Sequence, residues 1–548
     1  MTETVADYVV GRLRQYGVEV LFGIPGTSCA AVFDSASAQG LTTVVNSSEL
    51  DAGYAADGYA RMRGLAAVSV SYGVGTLSLV NAVAGALVER SAVVVVNGGP
   101  GARDLWNERR YGVLFSHSTG RPLTDLAMFK EVTAFAARVE RAEHAPRIVD
   151  EAIAVALREQ RPVYIEVSND LWQAPCPSPE GTLDVSRPAS GKEAELADEI
   201  VRRMSQARRP AILLCAEIAR YGLAEGAKRL VAGSGIPWAT TLLGKALLPE
   251  TTPGFVGVYD SDLAPKPVRQ LLEESDCLLT LGCVFGVDHS KLVTTRYAEM
   301  LSVADGWARI GDRVPQRAEI GTLLPLLGSR LVQRATAVAQ RIDGNLSFAS
   351  RREWAREPAV QELTHEQLYR VVDRHLDEEW VVVHDTCLGS YPAADLNVKG
   401  RNAFICCPVW LSIGHSIGAA IGVGFADARR PLVICGDGGF QIVAAGLSAM
   451  ARHGIRAVVI LIDNGLYAIE QYLIDPKWFT DPDRESLSYV GLHRWDYPGL
   501  ARAMGFGNAV SVATEADLDK ALSDARAWDG PGLISARVSP RDLPPESR

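Results

Sequence analysis

Two short polar segments follow neighbouring apolar runs near the end of the chain. Gly436-Asp437-Gly438 follows the run 430–435, and Asp463-Asn464 follows the run 457–462. A helical pattern, roughly from Ile442 to His453, separates them. A strand, a helix and a second strand usually form a right-handed unit with parallel strands, so both polar segments should reach the same carboxyl edge of a sheet. Ligands of open α/β sheets bind at that edge.

These residue types suit a cation and a phosphate group. The oxygens of Asp437 and Asn464 favour a hard divalent cation, which in turn favours a diphosphate. Gly436 and Gly438 allow the backbone to approach phosphates, and a helix N-terminus adds N–H donors. Gly-Asp-Gly is also a common turn sequence, so the motif alone fits an ordinary strand-to-helix turn equally well. The 25 residues between Gly438 and Asn464 favour the ligand site.

This spacing resembles the diphosphate and Mg²⁺ motif of the thiamine diphosphate (ThDP) enzymes, in which Gly-Asp-Gly precedes Asn or Asn-Asn by about two dozen residues. Asp463 stands where the first Asn of the pair would be. The resemblance implies that Mg²⁺ binds the side chains of Asp437 and Asn464 and the backbone carbonyl of Leu466. It also implies further cofactor contacts, which are Asp385, Ile413, Gly436 and Gly438.

Composition excludes several classes of protein. The chain has 548 residues, 47% hydrophobic and 22% charged, which suits a globular enzyme of about three domains. A net charge of −10 without a basic cluster argues against nucleic acid or an anionic membrane as a partner. No apolar run approaches the ~20 residues of a membrane span, and no signal peptide is expected. Nine cysteines without zinc-ligand spacing predict reduced thiols and a cytoplasmic protein.

Strand and helix patterns alternate in three blocks, which predicts an α/β protein with three parallel-sheet domains. We place the blocks at 1–173, 191–333 and 362–548, with linkers at 174–190 and 334–361. No complete G-x-G-x-x-G occurs, so a nicotinamide or flavin site is weakly supported. Three such blocks resemble the pyrimidine-binding, central and diphosphate-binding domains of the ThDP enzymes.

Glu49 is a candidate catalytic carboxylate. It follows an apolar run, and Ser47 or Ser48 would cap a helix with Glu49 in its first turn. Favourable interaction with the helix dipole is the alternative explanation. The segment resembles the glutamate segment of ThDP enzymes, which implies a hydrogen bond to the cofactor's pyrimidine N1′. In that family the glutamate and the diphosphate site belong to different subunits, which implies a homodimer or homotetramer with active sites at the interface. Ile413 would wedge the cofactor into its bent shape.

Five segments resemble the pyruvate, indolepyruvate and phenylpyruvate decarboxylases more closely. They are 22–26, 71–86, 113–120, 466–470 and 539–544. Decarboxylases of this branch carry four proton-handling groups: an Asp after a Pro-Gly turn, a His-His pair and a Glu. Here Glu470 and His117 match two of them, while Thr27 and Ser116 replace the Asp and the first His.

The two replacements predict a change of reaction. A positioned acid or base contributes ~10²–10⁴-fold, so their loss should slow protonation and aldehyde release more than CO₂ loss. We therefore expect an aromatic or branched 2-oxo acid donor to be decarboxylated and coupled to a carbonyl acceptor, giving an acyloin. A simple decarboxylase, an acetolactate synthase-like ligase and a catalytically silent ThDP-binding protein are the alternatives. The segment 471–495 is either a lid over the site or a surface loop.

Overall fold

Each of the three predicted blocks contains one β-sheet flanked by helices, which confirms the α/β prediction. The computed structural model describes residues 3–333 and 363–547. The predicted linker 334–361 lies outside the described residues. A further two-stranded antiparallel ribbon pairs Glu3–Thr4 with Pro175–Cys176. The second of these strands lies in the first predicted linker. The exact domain boundaries stay a prediction.

The first sheet has six strands, all parallel to their neighbours. Its central strands are buried along their whole length, and their side chains are mostly Val, Ala and Ile, as expected for a parallel sheet covered on both faces. In spatial order the strands are Thr42–Val45, Val20–Gly23, Ala66–Ser69, Val93–Gly99, Val163–Ser168 and Phe135–Val139.

The second sheet has seven strands and is mixed, which corrects the prediction of a purely parallel sheet. Met300–Ala304 and Trp307–Ile310 form an antiparallel hairpin in which Ala304 pairs with Trp307 across Asp305-Gly306. Asp-Gly is a strong two-residue hairpin signal, and the signal was present in the sequence. In spatial order the strands are Phe255–Tyr259, Trp238–Thr241, Pro210–Leu214, Cys277–Leu281, Met300–Ala304, Trp307–Ile310 and Gln316–Arg317.

The third sheet has six strands, again all parallel. Arg430–Gly436 and Val458–Asp463 are neighbours, with Gly436 opposite Ile462. This confirms that Asp437 and Asn464 leave the same carboxyl edge. In spatial order the strands are Phe404–Ile405, Trp380–His384, Arg430–Gly436, Val458–Asp463, Gly532–Arg537 and Asn508–Val512.

The helix predicted for 442–453 is two helices, Asp437–Val443 and Gly446–Arg452. The first begins directly after the strand, because the tertiary structure overrides the low helix propensity of Gly438 and Gly439. The other α-helices are Val5–Gln15, Ala30–Ala38, Glu49–Arg63, Val74–Val88, Ala102–Tyr111, Thr124–Val132, Ala145–Glu159, Glu193–Gln206, Ala216–Arg220, Ala224–Ser234, Lys266–Glu273, Ser290–Arg296, Ile320–Gln333, His365–His375, Ser390–Ala393, His415–Ala426, Ala468–Ile474, Tyr497–Ala503 and Glu515–Ala525. In the described ranges, no helix is long and apolar enough to cross a membrane.

The chain forms two compact units. The first comprises Met1–Ser186, His415–Ala428 and Val443–Ala457, and the second comprises Arg187–Gly414, Arg429–Ile442 and Val458–Arg548.

In the first unit, the helix Glu49–Arg63 packs directly on the helix His415–Ala426. A methyl group at Gly422 would lie 2.0 Å from the Ala55 carbonyl oxygen, and one at Gly58 would lie 2.4 Å from the Ala419 carbonyl oxygen. The two backbones therefore touch through glycine.

Gly422→Ala should lower the free energy of unfolding by about 1–3 kcal/mol, because the new methyl group must push the two helices apart. Gly328→Ala is the matched control, since Gly328 is also helical but a methyl group there meets no atom within 4 Å. The control should be neutral or raise stability by about 0.5–1 kcal/mol. Denaturant unfolding of both variants measures the difference, and equal effects would contradict the close helix packing.

Candidate active site

A cavity opens at the carboxyl edge of the third sheet. The structure gathers most of the predicted cofactor residues in its wall. They are Ile413, Gly436, Asp437, Gly438, Asn464 and Leu466. All six belong to the second unit.

Asp437 is a buried carboxylate at the end of the strand Arg430–Gly436. Its Oδ2 accepts hydrogen bonds from the N–H groups of Asn464 (3.1 Å) and Gly465 (2.6 Å), and its Oδ1 accepts one from Gly438 (3.0 Å). Burial raises the pKa of Asp437 to about 7, although the N–H of Gly465 acts in the opposite direction. Among the described residues no Lys, Arg or His forms an ion pair with it. A bound cation would neutralise this carboxylate, so the residue fits a metal ligand.

The neighbouring oxygens complete a hard ligand set. Asn464 Oδ1 accepts a hydrogen bond from the Leu466 N–H (3.1 Å), and the Leu466 carbonyl accepts one from the Ala468 N–H (2.8 Å). Each of these oxygens has a second lone pair. A carboxylate, an amide oxygen and a backbone carbonyl suit Mg²⁺ or Ca²⁺ rather than a softer metal. Within the described residues no group of three or more His, Cys, Asp or Glu side chains is placed to hold a metal.

Asp385 supports the turn that carries Ile413. Its two carboxylate oxygens accept hydrogen bonds from the Gly414 N–H (2.8 and 3.0 Å), and Oδ1 also accepts from the Thr386 N–H (2.9 Å). The Cys435 thiol donates to Oδ2 (2.8 Å). Asp385 is 1% exposed, so these hydrogen bonds fix the turn from within the protein interior. Direct contact between Asp385 and a cofactor stays a prediction.

Glu49 is the first residue of its helix and therefore lies in the first turn, as predicted. The N-cap is Ser48, whose hydroxyl accepts a hydrogen bond from the Asp51 N–H (3.1 Å). The Glu49 side chain is half-buried and lies over Gly75, where a methyl group would be 3.4 Å from Oε1.

The segment 71–75, which follows the strand Ala66–Ser69, also contacts the turns that hold the other predicted residues of the first unit. A methyl group at Gly26, next to Thr27, would lie 1.9 Å from Ser71 Oγ, and one at Gly73 would lie 2.6 Å from His117 Cβ. The His117 imidazole also packs edge-on against Tyr72, with ring centroids 5.8 Å apart. The segment therefore gathers Glu49, the turn of Thr27 and the turn of Ser116 and His117. Thr27, Ser116 and His117 are exposed.

Glu470 lies in the helix Ala468–Ile474, which begins beside the cavity. Ala468 and Ile469 are part of the cavity wall, whereas Glu470 is not and its side chain is exposed. Its role in proton transfer stays a prediction.

Two residues of this region were not predicted as site residues from the sequence. Tyr467 covers Gly438, where a methyl group would lie 2.3 Å from Cε1 of its ring, so Gly438 is needed for this packing as well as for any phosphate. His365 lines the cavity and pairs with Asp542. The capping box of Thr364 and Gln367 marks His365 as the first helical residue, but no local signal predicts a partner 177 positions away.

Comparison with known proteins agrees with this architecture. Three domains of the thiamine pyrophosphate (ThDP) enzymes match the chain: the N-terminal TPP binding domain at residues 3–114, the central domain at 197–320 and the C-terminal TPP binding domain at 386–536.

Similar proteins cover nearly the whole length. An alpha-keto-acid decarboxylase of Mycobacterium avium (strain 104) is 30% identical over 98% of this chain and 94% of its own. The alpha-keto-acid decarboxylase of Mycobacterium ulcerans (strain Agy99) is 30% identical over 99% of this chain and 94% of its own. The chain therefore belongs to the thiamine diphosphate enzymes, within the family of the 2-oxo acid decarboxylases.

Proposed function

We propose that this protein uses ThDP and Mg²⁺ to decarboxylate an aromatic or branched 2-oxo acid and couples the remaining fragment to a carbonyl acceptor, forming an acyloin. When bound, ThDP supplies the electron sink for the electrons left by CO₂ loss. One observation carries the proposal: the segment 71–75 contacts Glu49 and His117 together with the turns of Thr27 and Ser116. Thr and Ser hydroxyls do not ionise at neutral pH and are poor general acids or bases, so proton delivery should be slow there.

Different residues of the chain would bind the metal ion and transfer protons. Asp437, Asn464 and the Leu466 carbonyl would hold Mg²⁺, and Glu49 would hold a proton at the pyrimidine N1′. His117 and Glu470 would handle the remaining proton transfers. We further propose a homodimer or homotetramer with active sites at the subunit interface. The nine cysteines, all free thiols, support a cytoplasmic location.

The test follows CO₂ and products together. Purified protein with ThDP and Mg²⁺ receives aliphatic, phenyl- and indolyl-2-oxo acids, each with and without a second carbonyl compound. Acyloin formed only with an acceptor, with slow CO₂ release in its absence, is the expected result. Aldehyde released at the rate of CO₂, without coupling to any acceptor, would overturn the proposal.

A simple 2-oxo acid decarboxylase is the second candidate. The similarity to alpha-keto-acid decarboxylases over almost the entire chain supports it. In that case Thr27 and ordered water would replace the missing groups, and aldehyde would be the main product of the same experiment.

Asp437→Asn should weaken Mg²⁺ binding by about 10- to 100-fold, because it removes the only carboxylate of the predicted ligand set while keeping its size. Asp463→Asn is the control. Asp463 is a buried neighbour, but it lies 3.7 Å from Arg494 and 3.9 Å from Arg537, so it has cationic partners of its own. We expect the control to bind Mg²⁺ within about threefold of the wild type. Titration of the ThDP-bound protein with Mg²⁺ measures both, and equal losses would contradict the assignment.

A further inference from the structure

His365 is a buried histidine in the wall of the cavity that carries the predicted diphosphate site. It opens the helix His365–His375 and is 1% exposed. Asp542 Oδ2 accepts hydrogen bonds from both its Nδ1 and its backbone N–H, each 2.7 Å long. Its other ring nitrogen, Nε2, has no hydrogen-bond partner among the described residues. The ring is thus oriented by one nitrogen and has the other available.

The residues on either side of Asp542 fix its position. The Arg541 guanidinium donates to the carbonyls of Asp481 (2.6 Å) and Arg484 (2.7 Å). Leu543 is buried in an apolar cluster with Leu466. Because the chain is anchored before and after it, Asp542 presents its carboxylate to His365 in a defined geometry. A carboxylate that holds Nδ1 in this way sets the orientation of an imidazole.

The position of His365 indicates which type of ligand group its Nε2 would contact. Helix His365–His375 precedes the strand Trp380–His384, so its first residue lies at the carboxyl edge of the third sheet, where Asp437 and Asn464 also lie. An imidazole whose Nδ1–H points to a carboxylate can carry a second proton on Nε2 and then donates it to an anion. Hydrogen bonds between charged partners are among the strongest available to a protein.

We propose that His365, positioned by Asp542, donates a hydrogen bond to the diphosphate of ThDP. The proposal rests on membership in the ThDP enzymes and not on acyloin formation. Asp542 acts through His365 and is a positioning residue. The carboxylate of the 2-oxo acid is the other anion that could enter the cavity, and the experiment separates the two.

The experiment measures binding to the cofactor-free full-length protein at fixed Mg²⁺, by tryptophan fluorescence, with ThDP and with inorganic pyrophosphate. His365→Ala should raise the Kd for both by about 10-fold or more, the loss of one hydrogen bond to a charged group. Asp542→Asn should raise both by about 10-fold, as expected when the partner that orients a ligand-binding histidine is lost. His365→Gln keeps an N–H donor and should stay within about threefold of the wild type.

The same helix supplies a matched control. His375, at its far end, also pairs with an aspartate, through Nε2 and Asp519 Oδ1 at 3.0 Å, but it does not line the cavity. His375→Ala and Asp519→Asn should leave both Kd values unchanged. Thermal melting verifies that each variant folds. If His365→Ala does not fold, His365→Gln and Asp542→Asn still decide the question, because the proposal requires them to differ in pyrophosphate affinity.

Three results would overturn the proposal. Unchanged Kd values for ThDP and pyrophosphate in His365→Ala would show that His365 does not contact the diphosphate. Unchanged Kd values with a raised KM for the 2-oxo acid would assign His365 to the substrate carboxylate. An equal loss of affinity for thiamine, which lacks phosphates, would place the ring against another part of the cofactor. None of these results depends on which product the enzyme forms.

Discussion

Glu49→Gln should lower kcat by about 10²–10⁴-fold and leave the Kd for ThDP within about threefold. The two side chains have the same shape, and the helix Glu49–Arg63 keeps its N-cap, Ser48. Glutamine cannot hold the proton at the pyrimidine N1′, so activation of the cofactor should fail while binding survives. Steady-state kinetics measure the first effect. NMR of the exchange of the thiazolium C2 proton with D₂O, on the bound cofactor, measures the activation step itself.

Glu515 provides the control for the explanation by the helix dipole. It is also the first residue of a helix, Glu515–Ala525. The N-cap of this helix is Thr514, just as Ser48 is the N-cap of the helix that begins at Glu49. A glutamate that only complements the dipole contributes about 0.3–1 kcal/mol to stability. Glu515 also accepts hydrogen bonds from the Arg370 guanidinium (2.6 and 3.2 Å), so Glu515→Gln should lower stability by about 1–3 kcal/mol and leave kcat unchanged. Full turnover in Glu49→Gln would contradict the catalytic role and support the dipole explanation, together with a protein that binds ThDP without using it.

The sequence predicted most of the wall of the cavity at the edge of the third sheet because its determinants are local. Strand, helix and strand fix the positions of Asp437 and Asn464, and the parallel pairing of Gly436 with Ile462 confirms the edge. The helix at Asp437 was missed because Gly438 and Gly439 are poor helix formers. The antiparallel hairpin of the second sheet was missed although Asp305-Gly306 signals it. At the hairpin the three-parallel-sheet interpretation outweighed a local signal, whereas at Asp437 the local signal itself was misleading.

Features that depend on distant contacts could not be predicted. Asp385 supports the turn of Ile413 through Gly414, a partner 29 positions away. His365 depends on Asp542, and no periodicity or turn signal links them. The segment 71–75 contacts the turns of Gly26 and His117. These contacts join loops that follow different strands, so no local pattern in the sequence reveals them. Pairwise side-chain geometry of this kind is set by packing and not by local propensity.

The double substitution Thr27→Asp and Ser116→His should shift the products from acyloin to aldehyde by about 10- to 100-fold. Each restored group can deliver or remove a proton, and one positioned acid or base contributes ~10²–10⁴-fold at most. Both positions are exposed turns, so the new side chains should be tolerated. The product ratio with a fixed 2-oxo acid and acceptor, measured by NMR, gives the shift.

The single variants and a control pair outside the first unit make this result interpretable. Thr251→Asp and Ser329→His introduce the same side chains at exposed positions of the second unit and should leave the ratio unchanged. If Thr27→Asp alone gives most of the shift, then proton delivery near the turn of Gly26 limits aldehyde release. A double variant with an unchanged ratio and undiminished CO₂ release would mean that Thr27 and Ser116 do not determine the fate of the decarboxylated fragment. Reaction specificity would then have to come from the shape of the acceptor pocket, because a pocket that excludes the second carbonyl compound favours aldehyde release whatever the proton-transfer groups are.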